Sequence, residues 1–216
     1  MKSKFVFPAI ALLLCMLPLS AMGQVQYGIQ LSYDVSFPMS SNNPYKTGSG
    51  FTLGGVAEIS LPKRFFVEPG VMFTFRSMPS KNLVSFDDEY FYEGAAKIYT
   101  IHVPVRFGYR FYESELWSVA VSTGPYLNVN VAAQQKLEPN FGAPERVPDK
   151  KISLFDHGWK HVDGGWNIRL STTFAGSYFV GIDGDVSFTP LAEFGNRDKK
   201  IRIHRSSVSV VLGYYF

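Results

Sequence analysis

The sequence predicts an all-β protein, an eight-stranded antiparallel up-and-down transmembrane β-barrel that occupies residues 24–216 as one domain. Three observations lead to this prediction. Eight segments alternate apolar and polar residues with a period of two, the pattern of strands with one apolar and one polar face. Short and long connections alternate between them, as in outer-membrane barrels with both termini in the periplasm. The 216-residue chain is also poor in charge, at 18%, and rich in aromatic residues, at 16%.

A segment with the features of a secretory signal peptide precedes the barrel. Lys2 and Lys4 supply its positive start, residues 5–19 form its apolar stretch, and a small-x-small cleavage site stands before Gln24. The apolar stretch is shorter than the roughly 20 residues that a membrane-spanning helix needs. We therefore expect cleavage of residues 1–23. Cys15, the only cysteine, would leave with this segment, which excludes disulfides and thiol catalysis from the mature chain.

The first predicted strand, Val25 to Phe37, places seven apolar residues at odd positions and six small or polar residues between them. The other seven strands cover residues 52–61, 65–76, 99–111, 117–131, 166–174, 178–188 and 207–216. Tight connections lie near residues 62–64, 113–115 and 175–177. Long polar connections cover residues 38–50, 77–97, 132–163 and 189–202, and we expect them to be extracellular.

The polar strand faces should point into a lumen that is just wide enough to be filled by side chains. The inward charged residues and the histidine are Asp34, Glu58, Glu68, Arg76, His102, Arg106, Arg110, Arg169, Asp183 and Asp185. Isolated buried charges are costly, so these groups should pair with one another. The sequence therefore predicts a structural network of ion pairs that fills the lumen instead of a wide channel.

Two tight hairpins predict specific neighbours in this network. A turn centred on Gly176 places Arg169 directly opposite Asp183. The turn at residues 62–64 places Glu58 opposite Glu68, and two adjacent acids need a cation. We expect Arg106 or Arg110 on the next strand to supply it.

The apolar strand faces should point outward into lipid. Aromatic residues near the strand ends form two levels, and the ten residues from Tyr99 to Tyr109 span about 25 Å along the membrane normal, the height of an outer-membrane apolar band. A secreted, soluble lipocalin-like barrel is the structural alternative, with its apolar face turned inward around a ligand. The apolar faces are too long and too aromatic for one such small lumen.

Five phrases of the chain carry a family resemblance: FFVEPGVMFTF, YTIHVPVRFGYRF, STGPYLNVNV, YFVGIDGDVSFTPLAEF and the terminal VLGYYF. In this order they resemble the PorT-like outer-membrane β-barrel family, small barrels similar in shape to OmpX. The first strand, YGIQLSYDVS, departs from the glycine-rich opening of that family. The resemblance implies a Gram-negative outer-membrane location and, by analogy, a role in secretion or envelope assembly. It also implies that Phe216 belongs to a terminal strand read by the barrel-assembly machinery.

Candidate chemistry is sparse, and no enzyme, cofactor or metal site is predicted. His204 and Ser206 form a His-x-Ser pair like that of outer-membrane lipid A deacylases, with Glu193 or Asp198 as the group that would orient the histidine. This pair makes a lipid A ester hydrolase the enzymatic alternative. His157 and His161 have a spacing that binds metal on a helix, but they lie in a polar loop segment, so we predict no metal site there.

The long loops suit a binding role better, because function on rigid scaffolds concentrates in such loops. Their aromatic residues either form a docking surface or pack on one another as a cap, and both interpretations remain open here. These residues are Tyr45, Phe86, Tyr90, Phe91, Tyr92, Phe141, Phe155 and Trp159. The expected partners are outer-membrane lipid and lipopolysaccharide, the barrel-assembly machinery, and another envelope protein or a glycan at the loops. No run of like charge marks a nucleic-acid partner.

Overall fold

The computed structural model describes residues 24–39, 45–84, 91–139, 150–194 and 201–216, without the side chains of residues 81–84, 91–93, 137–139, 150, 194 and 201. The predicted signal peptide, with Cys15, lies outside the described residues, as do Phe86, Tyr90, Phe141 and Asp198. Within the described ranges, no helix is long and apolar enough to cross a membrane.

Ten strands make up most of the described chain. They are β1 (Val25–Met39), β2 (Gly48–Ser60), β3 (Phe65–Val84), β4 (Phe91–Glu113), β5 (Trp117–Pro139), β6 (Lys150–Ser153), β7 (Val162–Phe174), β8 (Tyr178–Ser187), β9 (Ala192–Phe194) and β10 (Ile201–Tyr215). Eight of them pair antiparallel in the order β1-β2-β3-β4-β5-β7-β8-β10, and β10 pairs back to β1. This closed eight-stranded antiparallel barrel confirms the predicted fold class. The short strands β6 and β9 pair with β5 and β10.

Tight turns join the strands at one end of the barrel, which we call the turn end. They cover residues 61–64, 114–116 and 175–177, close to the predicted positions. Gly176 has a φ of +69°, in the left-handed region that glycine enters without strain. The longer connections leave the barrel at the opposite end, which we call the loop end.

Three neighbouring strands extend further towards the loop end than the alternation predicted. Strands β3, β4 and β5 are 20, 23 and 23 residues long. Strands β3 and β4 stay paired as far as Val84 and Phe91, so most of the predicted loop 77–97 is a hairpin. A register shift opposite Tyr99 inserts one extra residue into β5, after which Ala133 and Gln135 are buried. A bulge of this kind moves all following side chains to the other face, which a period-two pattern does not anticipate.

The strand alternation places apolar residues outside and charged residues inside. The outward side chains of Leu53, Ile168 and Ile182 are more than half exposed, whereas the inward Arg106 and Arg169 are each 1% exposed. A soluble ligand-binding barrel needs the reverse arrangement, so the lipocalin-like alternative is not favoured. An apolar exterior around a polar interior is the arrangement of a barrel that lies in lipid.

Part of the lumen near the turn end is apolar, whereas the sequence predicts a lumen filled by a network of ion pairs. An inward cluster there consists of Val56, Met72, Phe179, Val211 and Tyr215. The rings of Phe66 and Phe179 lie over Gly108 and Gly213, where an added β-carbon would stand 2.1 Å from a ring atom. The two glycines therefore make room for aromatic side chains that fill the lumen.

Candidate functional site

The lumen charges near the turn end form one network around Glu68 of β3. Its carboxylate accepts hydrogen bonds from Arg106 Nε at 2.9 Å, from Arg169 Nη1 at 2.9 Å and from the Tyr215 hydroxyl at 2.9 Å. All four side chains are buried. Charge-assisted bonds of this kind offset the cost of removing the charges from water.

Arg169 of β7 connects this network across the lumen. It faces Asp183 in the β7–β8 register and donates to both carboxylate oxygens, at 2.6 and 2.7 Å. This is the pair that the hairpin at Gly176 predicted. A further bond reaches the amide oxygen of Gln30 on β1 at 3.0 Å, so each guanidinium nitrogen of Arg169 has a partner.

Glu58 of β2 also belongs to this turn-side group. The β2–β3 register on both sides of it places Glu58 opposite Glu68, as predicted. Arg110 donates to Glu58 and Arg106 donates to Glu68, so each acid has its own cation. Arg110 is less buried than the other lumen cations, because its side chain lines a cavity at the turn end.

This cavity has a volume of about 230 Å³ and is walled mainly by polar groups. Glu58 and Arg110 line it from the lumen, and Glu113 and Glu115 line it from the β4–β5 turn. Leu116 and Trp117 also contribute to its wall.

The loop-side half of the lumen holds a second group of charges. Asp34 of β1 forms a buried ion pair with Arg76 of β3. Asp185 of β8 accepts hydrogen bonds from Asn167 at 2.6 Å and from Ser207 at 3.2 Å. All the lumen residues predicted from the alternation therefore lie inside the barrel, with Arg110 partly buried at its end.

The alternation did not identify two further charged residues of the lumen, which are Asp163 of β7 and Arg205 of β10. Asp163 accepts hydrogen bonds from Asn128 at 2.8 Å and Asn130 at 3.1 Å, and Arg205 Nη2 lies 3.4 Å from it. The ring of His102 contacts the same Asn128 at 2.7 Å. The sequence analysis places Asp163 at the end of the long connection 132–163 and Arg205 at the junction before the last strand, although each has the parity of the inward residues on its own strand.

Hydrogen bonding is incomplete in this loop-side group. Arg205 is 1% exposed, yet its Nε and Nη1 atoms make no hydrogen bond within the described part of the chain. The same holds for Arg76 Nη1, Asp34 Oδ2 and the hydroxyl of Tyr126. Buried polar groups nearly always have partners, so ordered water is expected beside these atoms.

An apolar core, which we call the cap, covers the lumen at the loop end. Its buried members are Tyr45, Met78, Ala96, Ile98, Ala133, Leu154, Trp159, Leu191, Ala192 and Ile203. The rings of Tyr45 and Trp159 meet edge to face with centroids 5.5 Å apart, and Phe155 packs against the cluster. The cap interpretation of the loop aromatics is therefore correct for these three residues. Loss of solvation raises the pKa of the Tyr45 hydroxyl to about 12.

Among the described residues, those of the enzymatic alternative do not form a triad, and its second candidate acid, Asp198, lies outside the described part of the chain. The Ser206 hydroxyl contacts the sulfur of Met39 at 3.3 Å, and Glu193 pairs with Lys160 at 3.2 Å and Arg202 at 3.5 Å. Among the described residues, the ring of His204 and the hydroxyl of Ser206 share no hydrogen bond.

The two loop histidines make separate contacts. His157 Nδ1 lies 2.8 Å from the carbonyl oxygen of Ser153, and the His161 ring stacks on Phe155 with centroids 3.9 Å apart. The described part of the chain holds no group of three His, Cys, Asp or Glu residues arranged for a metal ion.

The outward aromatic residues form a belt around the turn end. Trp117 contacts Phe174 with centroids 4.8 Å apart, and Tyr178 contacts Tyr214 with centroids 5.0 Å apart. The terminal Phe216 continues this row beside Tyr214 and is 72% exposed. Aromatic girdles of this kind mark the interfaces of membrane barrels.

Residues 20–193 match the family model described as the outer membrane protein beta-barrel domain. The chain belongs to this family. It is accordingly a β-barrel protein of the Gram-negative outer membrane. The resemblance to the PorT-like group stays a prediction.

Several solved structures are similar to this barrel, among them outer membrane proteins. OprG of Pseudomonas aeruginosa has 11% sequence identity over 90% of this chain and 97% of its own, with a TM-score of 0.52. Ail of Yersinia pestis has 13% identity over 89% and 99% of the two chains, with a TM-score of 0.46. Neisserial surface protein A has 11% identity over 89% and 99%, with a TM-score of 0.45. At these identities the likeness concerns the fold alone. No curated protein matches the chain.

Proposed function

We propose that this protein is a non-enzymatic outer-membrane barrel whose loop end is a docking platform for another envelope protein or a glycan. The observation that carries the proposal is the cap. A barrel that only filled space in the membrane would need no second apolar core, whereas this one orders β6, β9 and the extended ends of β3, β4 and β5 around ten buried residues. Binding surfaces gain affinity when they are ordered before the partner arrives.

The filled lumen favours the role of a docking platform and argues against the role of a pore. Arg106 and Arg169 lie across the lumen in ion pairs with Glu68 and Asp183, and the cap covers the loop-end mouth. A conducting barrel of eight strands would have to break several of these pairs. We therefore expect planar-bilayer recordings to show no large, stable, porin-like steps.

Orientation and assembly are part of the proposal. The turn end faces the periplasm, since short turns are periplasmic in barrels of this class. Lipid and lipopolysaccharide surround the apolar exterior, the signal peptide is removed before Gln24, and the assembly machinery reads the terminal Phe216. By its PorT-like resemblance, the platform serves secretion or envelope assembly.

Site-specific photocrosslinking in intact cells tests the platform. A benzoyl-phenylalanine residue replaces the exposed Lys151 of β6 in one strain and the lipid-facing Ile168 of β7 in a control strain. We expect a discrete protein or glycan adduct from position 151 that position 168 does not give. A third strain carries the probe at the exposed Lys97 of β4. Identical adducts at positions 151 and 168, or no adduct at either 151 or 97, would leave the protein with a structural role alone.

A further inference from the structure

The apolar exterior of β4 ends abruptly towards the loop end. From Tyr109 to Tyr99 every outward side chain of this strand is apolar or aromatic, and the ring of Tyr99 packs against Phe75 of β3 with centroids 5.2 Å apart. The next outward side chain is the exposed Lys97. Two residues of a strand tilted by about 40° rise roughly 5 Å along the membrane normal. Lys97 therefore lies at the level of the lipid head groups.

Three further exposed lysines surround Lys97 on the outer face of the loop end. Ala95, the next outward residue of β4, faces Lys136 of β5, and Lys136 faces Lys151 of β6. On the other side of β4, the backbone N–H of Lys46 donates to a β3 carbonyl in the row of Ala95. We call these four lysines the lysine patch.

The lysines lie between the lipid and the acidic residues of these strands. The described outward side chains among the lysines carry no charge, and they are Ser77, Pro79, Ala95, Gln134 and Ser153. Acidic residues begin one outward position further from the apolar band, where Glu93 faces Glu138 in the β4–β5 register. At the loop end of β1 and β2, the outermost outward residues are the uncharged Met39 and Ser49. Positive charge at head-group level is therefore concentrated on one flank of the barrel.

Neighbouring lysines of the patch are close enough to share one anion. Directly opposite residues of an antiparallel pair, such as Lys136 and Lys151, have β-carbons about 5 Å apart. Diagonal neighbours such as Lys97 and Lys136 have them about 7–8 Å apart. Like charges in these positions repel each other. A phosphate group between the ammonium ends replaces repulsion by attraction, because it offers several charged acceptor oxygens at once.

We infer that the lysine patch binds the phosphate groups of lipid A, the lipid anchor of lipopolysaccharide. The apolar strand faces below Tyr99 contact the acyl chains, and the lysine side chains lay their stems along this surface while their ends meet the phosphates. In the cell this assignment rests on the orientation proposed above, since lipid A lies in the outer leaflet. Binding of lipid A by the purified barrel does not depend on that orientation.

Native mass spectrometry of the barrel in detergent micelles tests the inference by counting bound lipid. The probes are lipid A with both phosphates and the same lipid A after chemical removal of its phosphates. We expect the phosphorylated lipid to bind at least 10-fold more tightly, since lysines near an anionic surface each contribute about a factor of five. Equal binding of the two lipids would overturn the inference.

Two double variants with the same change of charge locate the site. Lys97→Gln/Lys151→Gln changes two exposed residues of the patch and should weaken binding of phosphorylated lipid A roughly 10- to 30-fold. Lys63→Gln/Arg64→Gln changes two exposed cations at the turn end and should leave binding unchanged within twofold. Slower electrophoretic migration after heating checks that both variants are folded. Equal losses in both variants would show attraction by overall charge and contradict a site at the patch.

A competition titration separates lipid A from a soluble phosphate compound. Inositol hexakisphosphate carries phosphate groups without acyl chains, so we expect it to leave lipid A bound when both are present at equal concentration. Displacement under these conditions would show that the patch binds phosphate without lipid, and it would overturn the assignment to lipid A.

The outcomes of this test and of the crosslinking test are distinct. A crosslinked lipid A is identified by its acyl chains and counts for the lysine patch alone, whereas a protein adduct or a glycan without acyl chains counts for the platform. Unchanged lipid A binding in Lys97→Gln/Lys151→Gln removes the site and leaves the platform untouched. Absence of protein and glycan adducts removes the platform and leaves the lipid result standing.

Discussion

The turn-side and loop-side halves of the lumen carry similar residues but bond them to different degrees. Around Glu68, each guanidinium nitrogen of Arg169 has a partner within 3.0 Å. Around Asp163, Arg205 reaches the carboxylate at 3.4 Å and interacts with Tyr126, but its Nε and Nη1 atoms have no partner within hydrogen-bond distance in the described structure. The first half is a closed network, whereas the second is a partly paired layer with an apolar cap above it.

The contrast suggests where the barrel is rigid and where it can adjust. Buried ion pairs with full hydrogen bonding are strongly destabilised by the loss of one partner, because the other charge is left buried. Removal of a cation costs less when its carboxylate partner keeps other hydrogen-bond donors, as Asp163 keeps Asn128 and Asn130. We therefore expect the turn-side half to determine the global stability and the loop-side half to determine the order of the platform.

Replacement of Glu68 by alanine should have the largest effect, because Arg106, Arg169 and the Tyr215 hydroxyl all lose their shared acceptor. We expect the free energy of unfolding to fall by about 3–5 kcal/mol. Urea titration of the barrel in detergent, followed by tryptophan fluorescence, measures it. The exposed Glu115→Ala should change stability by less than about 0.5 kcal/mol. A Glu68 variant as stable as this control would contradict the closed network.

Arg169→Met and Arg205→Met compare the two halves directly with one substitution. Arg169→Met should cost about 3 kcal/mol, since Asp183 and Glu68 lose a bonded cation. Arg205→Met should cost about 1 kcal/mol, since Asp163 keeps its bonds from Asn128 and Asn130. The same urea titration applies to both. Equal losses would show that incomplete bonding around Arg205 does not distinguish the halves.

Trp159→Ala should loosen the cap without unfolding the barrel. The ring is 4% exposed and contacts Tyr45, and loss of a buried aromatic side chain costs a core about 3–5 kcal/mol. Because the cap lies outside the ion-pair network, we expect this cost to appear as local opening. Limited proteolysis should cut the loop end faster, while the urea midpoint moves little. A large shift of the midpoint would mean that cap and barrel unfold as one unit.

High pH should weaken the cap through Tyr45, with the smallest effect of the series. Burial raises the pKa of its hydroxyl from 10.0 to about 12, so the folded cap holds this proton more tightly than the unfolded chain. The stabilisation is complete below pH 10 and is lost as the pH rises towards 12. Near-ultraviolet circular dichroism should detect the change in this window, and Tyr45→Phe should lack it. An unchanged pH profile in Tyr45→Phe would exclude Tyr45 as the titrating group.

Much of the barrel could be predicted from local pattern. Parity alone identified the inward face of Glu58, Glu68, Arg106 and Arg169, and the Gly176 turn set the register that pairs Arg169 with Asp183. Such predictions succeed because a strand has a period of two and a tight turn sets which residues face each other. The docking role, the signal peptide and the assembly role of Phe216 stay predictions.

Other features could not be predicted in this way. Asp163 stands at the end of a predicted loop and Arg205 at a predicted loop-to-strand junction, because polar residues near a strand end look the same in sequence whether the strand continues or stops. Tyr45 and Trp159 were expected either at a surface or in a cap, and only their mutual packing decides between these. The β-bulge in β5 could not be predicted either, because its extra residue changes which side chains point inward beyond it.

The sequence by itself determined the closed eight-stranded barrel, the apolar exterior and the identity of most lumen charges, because alternation and turn chemistry act over a few neighbouring residues. Only the tertiary structure decided how those charges bond, where the strands end, that a second apolar core covers one mouth, and that a cavity opens at the other. These properties depend on residues brought together from strands distant in sequence. Arg169, for example, meets Gln30 and Glu68, which lie 139 and 101 positions away in the chain.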